Sequence, residues 1–113
     1  MSNADQITHK ISQAFLETWQ DAHGFSAGSA NGLMGPQQLV IIIDGAFSRA
    51  EHNLAKNQPG KNLLTTYSNA LLQQISDTMI EQVEQALERQ VLTHMFNVNI
   101  PADQVMFSFQ LAE

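Results

Sequence analysis

The sequence contains no cysteine and only three prolines, and charged residues make up 14% of its 113 positions. Without thiols there are no disulfides, no thiolate metal sites and no cysteine nucleophile, and a reducing, cytoplasmic compartment is the expected home. Basic residues are scarce: Lys10, Arg49, Lys56, Lys61 and Arg89 stand scattered against eleven acidic residues, for a net charge of −6. Nucleic acids and anionic lipid surfaces are held by clustered Lys and Arg, so neither is an expected partner. Long apolar runs are missing as well. The longest is Leu39–Ile43, against the roughly 20 residues of a membrane-spanning helix. The N-terminus lacks the basic segment and apolar stretch of a signal peptide. Residues 1–4 read as a leader or tag remnant and are set aside from the fold.

What is present suits one ordinary domain over residues 5–113. Hydrophobic residues make up 43% of the chain, too many for disorder and enough for a core without staples. The surface is rich in amides, with 13 Gln and 8 Asn, which confer solubility but no reaction chemistry. From Asp5 to about Ala22, apolar residues at three- and four-residue steps (Ile7, Ile11, Phe15, Trp19) predict an amphipathic helix, with Gly24 as its stop. A glycine-rich stretch leaves room for a short strand near Ala30–Met34, and Gln38–Asp44 is the clearest strand. Ser48 and Glu51 form an S-x-x-E capping box that opens a second helix. Asn57-Gln58-Pro59-Gly60 is expected to end that helix. A third, long helix over about Asn62–Gln90 carries the stripe Leu64, Tyr67, Leu71, Ile75, Met79, Val83 and Leu87. At about 1.5 Å per residue it should span the whole domain. Val91–Ile100 and Gln104–Leu111 close the chain as a hairpin, with Val105, Phe107, Phe109 and Leu111 alternating inward. The order α-β-β-α-α-β-β predicts an α+β, two-layer sandwich: a four-stranded, mainly antiparallel sheet with helices on one face.

No constellation here carries chemistry. His9 and His23 are spaced too widely for a helical metal pair and read as solvated, and His94 reads as a partly buried strand histidine. His52 neighbours Glu51, but adjacent helical residues point about 100° apart. The capping box accounts for Ser48 and Glu51. Asp44-Gly45 resembles a strand-end Mg²⁺ carboxylate without partners, and the glycines between 24 and 35 lack the lysine of a phosphate loop. No catalytic residue, metal ligand or cofactor is therefore expected. The feature that stands out is apolar. With the phenylalanines pointing at the helices, the opposite sheet face should carry Val40, Ile42, Met95, Met106 and Ser108, an uncovered patch of the kind that marks an interface. Asp77, Glu81, Glu84 and Glu88 form an acidic ridge on the third helix, which reads either as a solvated face or as a docking surface for basic residues of the same partner. If the terminal strand lies at a sheet edge, nothing in it blunts strand addition.

The passage Val40–Asp44, Gly45, Ser48, Ala50, Glu51, Leu54, Ala55 and Lys56 resembles the MpsC-like family. The likeness continues through Gly60, Leu63-Leu64, the long helix and Phe107-Ser108-Phe109, about three-quarters of the chain, and departs from the family pattern at residues 24–34. The resemblance implies a small non-enzymatic companion of bacterial cation and inorganic-carbon uptake. The amide-rich composition looks cyanobacterial. That suggests a relative of the carboxysome assembly factor CcmS, one that binds and chaperones a segment of a carboxysome shell protein. Two alternatives are an accessory subunit of a membrane transport system and a small-molecule-binding regulatory domain. A homodimer is expected, through the open sheet face or the long helix.

Overall fold

The computed structural model describes residues 3–113. Its elements are α1 (Asn3–His23), β1 (Ser29–Met34), β2 (Gln38–Asp44), α2 (Arg49–Leu54), α3 (Gln58–Leu87), β3 (Val91–Asn99) and β4 (Gln104–Leu111). The expected α+β order is the observed one. Helix α1 begins at Asn3, so residues 3 and 4, set aside as leader, are helical. Residues 1 and 2 lie outside the described residues.

The four strands form one antiparallel sheet in the order β1-β2-β4-β3. Strand β4 is thus central, and β3 is an edge. The sequence left open an edge position for Gln104–Leu111; the structure excludes it. The reason lies in the two pairings that β4 makes. Its inward residues Val105, Phe107, Phe109 and Leu111 are all buried, and its register aligns them with Ile43, Ile41 and Leu39 of β2 on one side and with β3 on the other. A strand with so apolar a face is worth most in the middle of a sheet, where both neighbours extend the core.

Helices α1 and α3 cover that inner face. Ile11, Phe15 and Trp19 of α1 and Leu64, Leu72, Met79 and Val83 of α3 are buried with the strand residues in a single core. Phe15 meets Phe107 and Phe109 edge-on, with centroids 5.2 and 5.7 Å apart. The Gly24 N–H donates to the Gln20 carbonyl and ends α1 where the sequence placed the stop. At 30 residues, α3 is ~45 Å long, matching the 44 Å long axis of the molecule.

Two details of α3 differ from expectation. Asn57-Gln58-Pro59-Gly60 does not only close α2; it opens α3. The Asn57 side chain accepts from the Gly60 N–H at 2.8 Å, and Pro59 sits in the first turn, where its missing N–H costs nothing. The buried line also runs through Ser68 rather than Tyr67, which is exposed. Gly60 lies where α2 and α3 cross, and any Cβ there would fall on the backbone carbonyl of Leu54. Gly60→Ala is therefore expected to destabilise the protein by about 2 kcal/mol or more, despite alanine's higher helix propensity. A urea titration followed by circular dichroism checks this through a lowered midpoint at unchanged slope.

Candidate functional site

The strand register sets the outer face of the sheet row by row. One row runs Leu33–Val40–Ser108–Met95 and the next Asn31–Ile42–Met106–Asn97. Val40, Ile42, Met95, Met106 and Ser108, expected together on this face from alternation alone, are indeed neighbours. Their inward-pointing counterparts Leu39, Ile41 and Ile43 are fully buried, whereas Met95 is 69% and Met106 36% exposed. Leu33, 70% exposed, joins the patch from β1. Sequence reading missed it because a strand of Ala30, Asn31, Gly32, Leu33 and Met34 shows little contrast between its two phases. No described helix covers this face.

Amides rim the apolar centre. At one end Gln38, Thr93, Ser108 and Gln110 join Gly35 and Pro36 around a shallow groove of about 580 Å³. At the other end, in the row Ser29–Asp44–Gln104–Asn99, Gln104 donates to the Asp44 carboxylate at 2.8 Å. The strand-end carboxylate weighed for Mg²⁺ is thus a partner of Gln104. Among the described residues no group of three His, Cys, Asp or Glu is placed to hold a metal ion.

The acidic ridge is not part of this face. Asp77, Glu81, Glu84 and Glu88 belong to α3 and its C-cap, in the helical layer on the other side of the sheet. The Glu84 carboxylate accepts from the Val91 N–H at 2.9 Å, and Glu88 takes up the left-handed cap with φ 54°. A segment lying on the open face cannot also lie along this ridge without turning round the β3 edge.

A second cluster sits at the far end of α1, where His23 is buried rather than solvated. Its side chain is 2% exposed, and its Nε2 meets Glu51 Oε2 at 2.7 Å. The ring stacks on Trp19 at 4.7 Å and touches Phe25, Phe47 and Tyr67 edge-on or tilted. Glu51 meanwhile completes the capping box, its other oxygen accepting from the Ser48 N–H. His52 bonds to Asp103 at 3.0 Å, and Asp103 also accepts from the Phe47 N–H. These groups tie α1, α2 and the β3–β4 turn together. Proximity in sequence gave no hint of it, because His23 and Glu51 are 28 positions apart. Glu51→Ala removes a cap and leaves a buried imidazole N–H unpaired, at an expected cost of about 2 kcal/mol. Thermal unfolding of that variant beside Glu51→Gln, which keeps an acceptor, separates the loss of charge from the loss of the bond.

No helix among the described residues is long and apolar enough to cross a membrane. Neither curated proteins nor solved structures give a significant match, so a relation to CcmS rests on the resemblance alone. A family model described as "Na+-translocating membrane potential-generating system (MpsC)" matches residues 3–113, and the chain belongs to the MpsC family.

Proposed function

We propose that the protein is a non-enzymatic accessory factor that takes a segment of a partner protein on the open face of its sheet. The observation that carries this reading is the uncovered patch of Leu33, Val40, Ile42, Met95 and Met106 on a chain with an otherwise complete core. Exposed apolar surface of this kind is a standing cost in water unless a partner covers it. A non-enzymatic role is supported by the occupation of the candidate groups: His23 with Glu51, His52 with Asp103 and Asp44 with Gln104 are engaged in bonds that build the fold. A regulatory small-molecule site finds less support, since the groove beside Pro36, with His94 in its lining, and the groove between α1 and β1, with Asp5 and His9 in its lining, are both open to solvent.

The family description favours a partner belonging to a membrane cation-translocating system, to which this chain would be an accessory on the cytoplasmic side. A carboxysome shell segment is the other partner that the resemblance implies. Affinity capture from native lysate with wild type and Ile42→Glu, read by mass spectrometry, decides between them. Transport subunits recovered by wild type alone support the accessory reading, and shell proteins recovered by wild type alone support the assembly reading. Recovery of the same proteins by both forms removes the open face as the site.

A further inference from the structure

We propose that the free edge of β3 pairs with β3 of a second copy of the chain, antiparallel about a two-fold axis near Met95, joining two sheets into one of eight strands. Beyond a bulge between Val91 and Thr93, the edge carries none of the residues that oppose pairing. Val91–Asn99 is nine residues long and contains no Lys, Arg, Asp, Glu or Pro, the residues by which proteins commonly blunt their edges. In a chain of net charge −6, two copies repel over most of their surface, and a neutral edge is where they meet at least cost.

The sequence of β3 is also self-complementary, as a two-fold contact requires. With Met95 opposite its own copy, Thr93 faces Asn97 and His94 faces Phe96, a hydroxyl–amide pair and two rings, each a favourable cross-strand combination. Met95 is 69% exposed in the single chain, and this pairing covers part of that surface. The other edge, β1, is six residues long and runs into Gly35-Pro36, so it offers a shorter ladder.

The size of the contact sets its strength. The seven residues beyond the bulge are ~23 Å long, and with a sheet layer and the ~10 Å helix layer of α3 beside them the contact covers roughly 700 Å² over both copies, below the size of stable specific interfaces. The dimer is accordingly weak, with a dissociation constant on the order of 100 μM. Glu84 of α3 accepts from the Val91 N–H of β3, so pairing brings the acidic copies together, and salt tightens the dimer. The open faces of the two copies then run on continuously across the axis, and the partner site stays free.

Multi-angle light scattering over 1–500 μM, with amide hydrogen exchange at both ends of that range, tests the pairing. The expected mass rises towards twice the 12.5 kDa of the chain, rises further with added salt, and falls back in Met95→Lys, which sets two ammonium groups on the axis. Leu33→Lys, on the other edge, leaves the dimer intact. Alternate amides of β3 exchange severalfold more slowly in the concentrated sample. A monomer at 500 μM overturns the proposal, and so does a dimer that Leu33→Lys or Ile42→Glu breaks as fully as Met95→Lys, since that one packs through the open face. Masses beyond two chains indicate head-to-tail β3–β1 pairing and overturn it too. A dimer through the open face would also occupy the proposed partner site, whereas a monomer or a head-to-tail chain leaves partner capture, read with Ile42→Glu, as a separate question.

Discussion

Ile42→Glu is expected to leave the secondary structure and the unfolding midpoint nearly unchanged while weakening partner binding by about 30-fold or more. The two halves of this expectation have separate physical origins. On the free protein Ile42 lies on the open face opposite Met106, with no helix above it, so a carboxylate there stays in contact with water. In the complex the same carboxylate is buried against an apolar segment, and an unpaired charge in an interface costs on the order of 2–5 kcal/mol, where each 1.4 kcal/mol is a factor of ten in affinity. Ile41→Glu is the matched control. That residue is fully buried one position earlier on the same strand, and because side chains alternate, the same substitution there goes into the core. It is expected to unfold the protein. Circular dichroism gives the fold of both variants and a binding titration with the captured partner gives the affinity of the folded one. Unfolding of Ile42→Glu would place that side chain in the core and dismiss the face as an interface.

Much of this face was legible because it depends only on period two. Alternation in Gln104–Leu111 assigned the phenylalanines to one side, and the register then followed with Val40 and Ile42 on the other. Strand order was not legible. A hairpin fixes that β3 and β4 are neighbours but leaves open which of them β2 joins, and that choice rests on long-range burial. The same limit hid the cluster around His23. An amphipathic α1 predicts that Trp19 is buried, but only tertiary packing brings Glu51 from α2, Phe47 from the β2–α2 loop and Tyr67 from α3 to the imidazole four residues on. The Pro59-Gly60 pair was read as a stop because those residues end helices as often as they start them. What settles the matter is the Asn57 side chain capping Gly60, a signal that was present in the sequence one turn upstream.

Trp19→Ala is expected to produce the largest loss of stability of any single substitution in α1. Trp19 is fully buried, its Nε1 donates to the Ala46 carbonyl at 3.2 Å, and its ring carries His23 on one side and meets Phe47 edge-on at 6.1 Å. Truncation leaves a cavity the size of an indole between α1 and the β2–α2 loop, at about 3–5 kcal/mol for such a change. It also strands a carbonyl acceptor, adding about 1–2 kcal/mol. Against the 5–15 kcal/mol of a typical domain, that is enough to populate the unfolded state at 37 °C. Trp19→Phe separates the contributions: it keeps an aromatic surface under His23 but not the indole N–H, and its expected cost is about 2 kcal/mol. Pairing each with His23→Ala completes a double-mutant cycle, in which the stacked rings should couple by about 1 kcal/mol. Urea unfolding must be followed by circular dichroism, since Trp19 is the single tryptophan of the chain and its fluorescence disappears with it. Equal costs for Trp19→Phe and Trp19→Ala would mean that the Ala46 hydrogen bond, and not the packing, holds the end of α1 in place. Additive costs in the cycle would mean that the stack on Trp19 contributes nothing and that Glu51 and the rings of Phe25, Phe47 and Tyr67 hold His23.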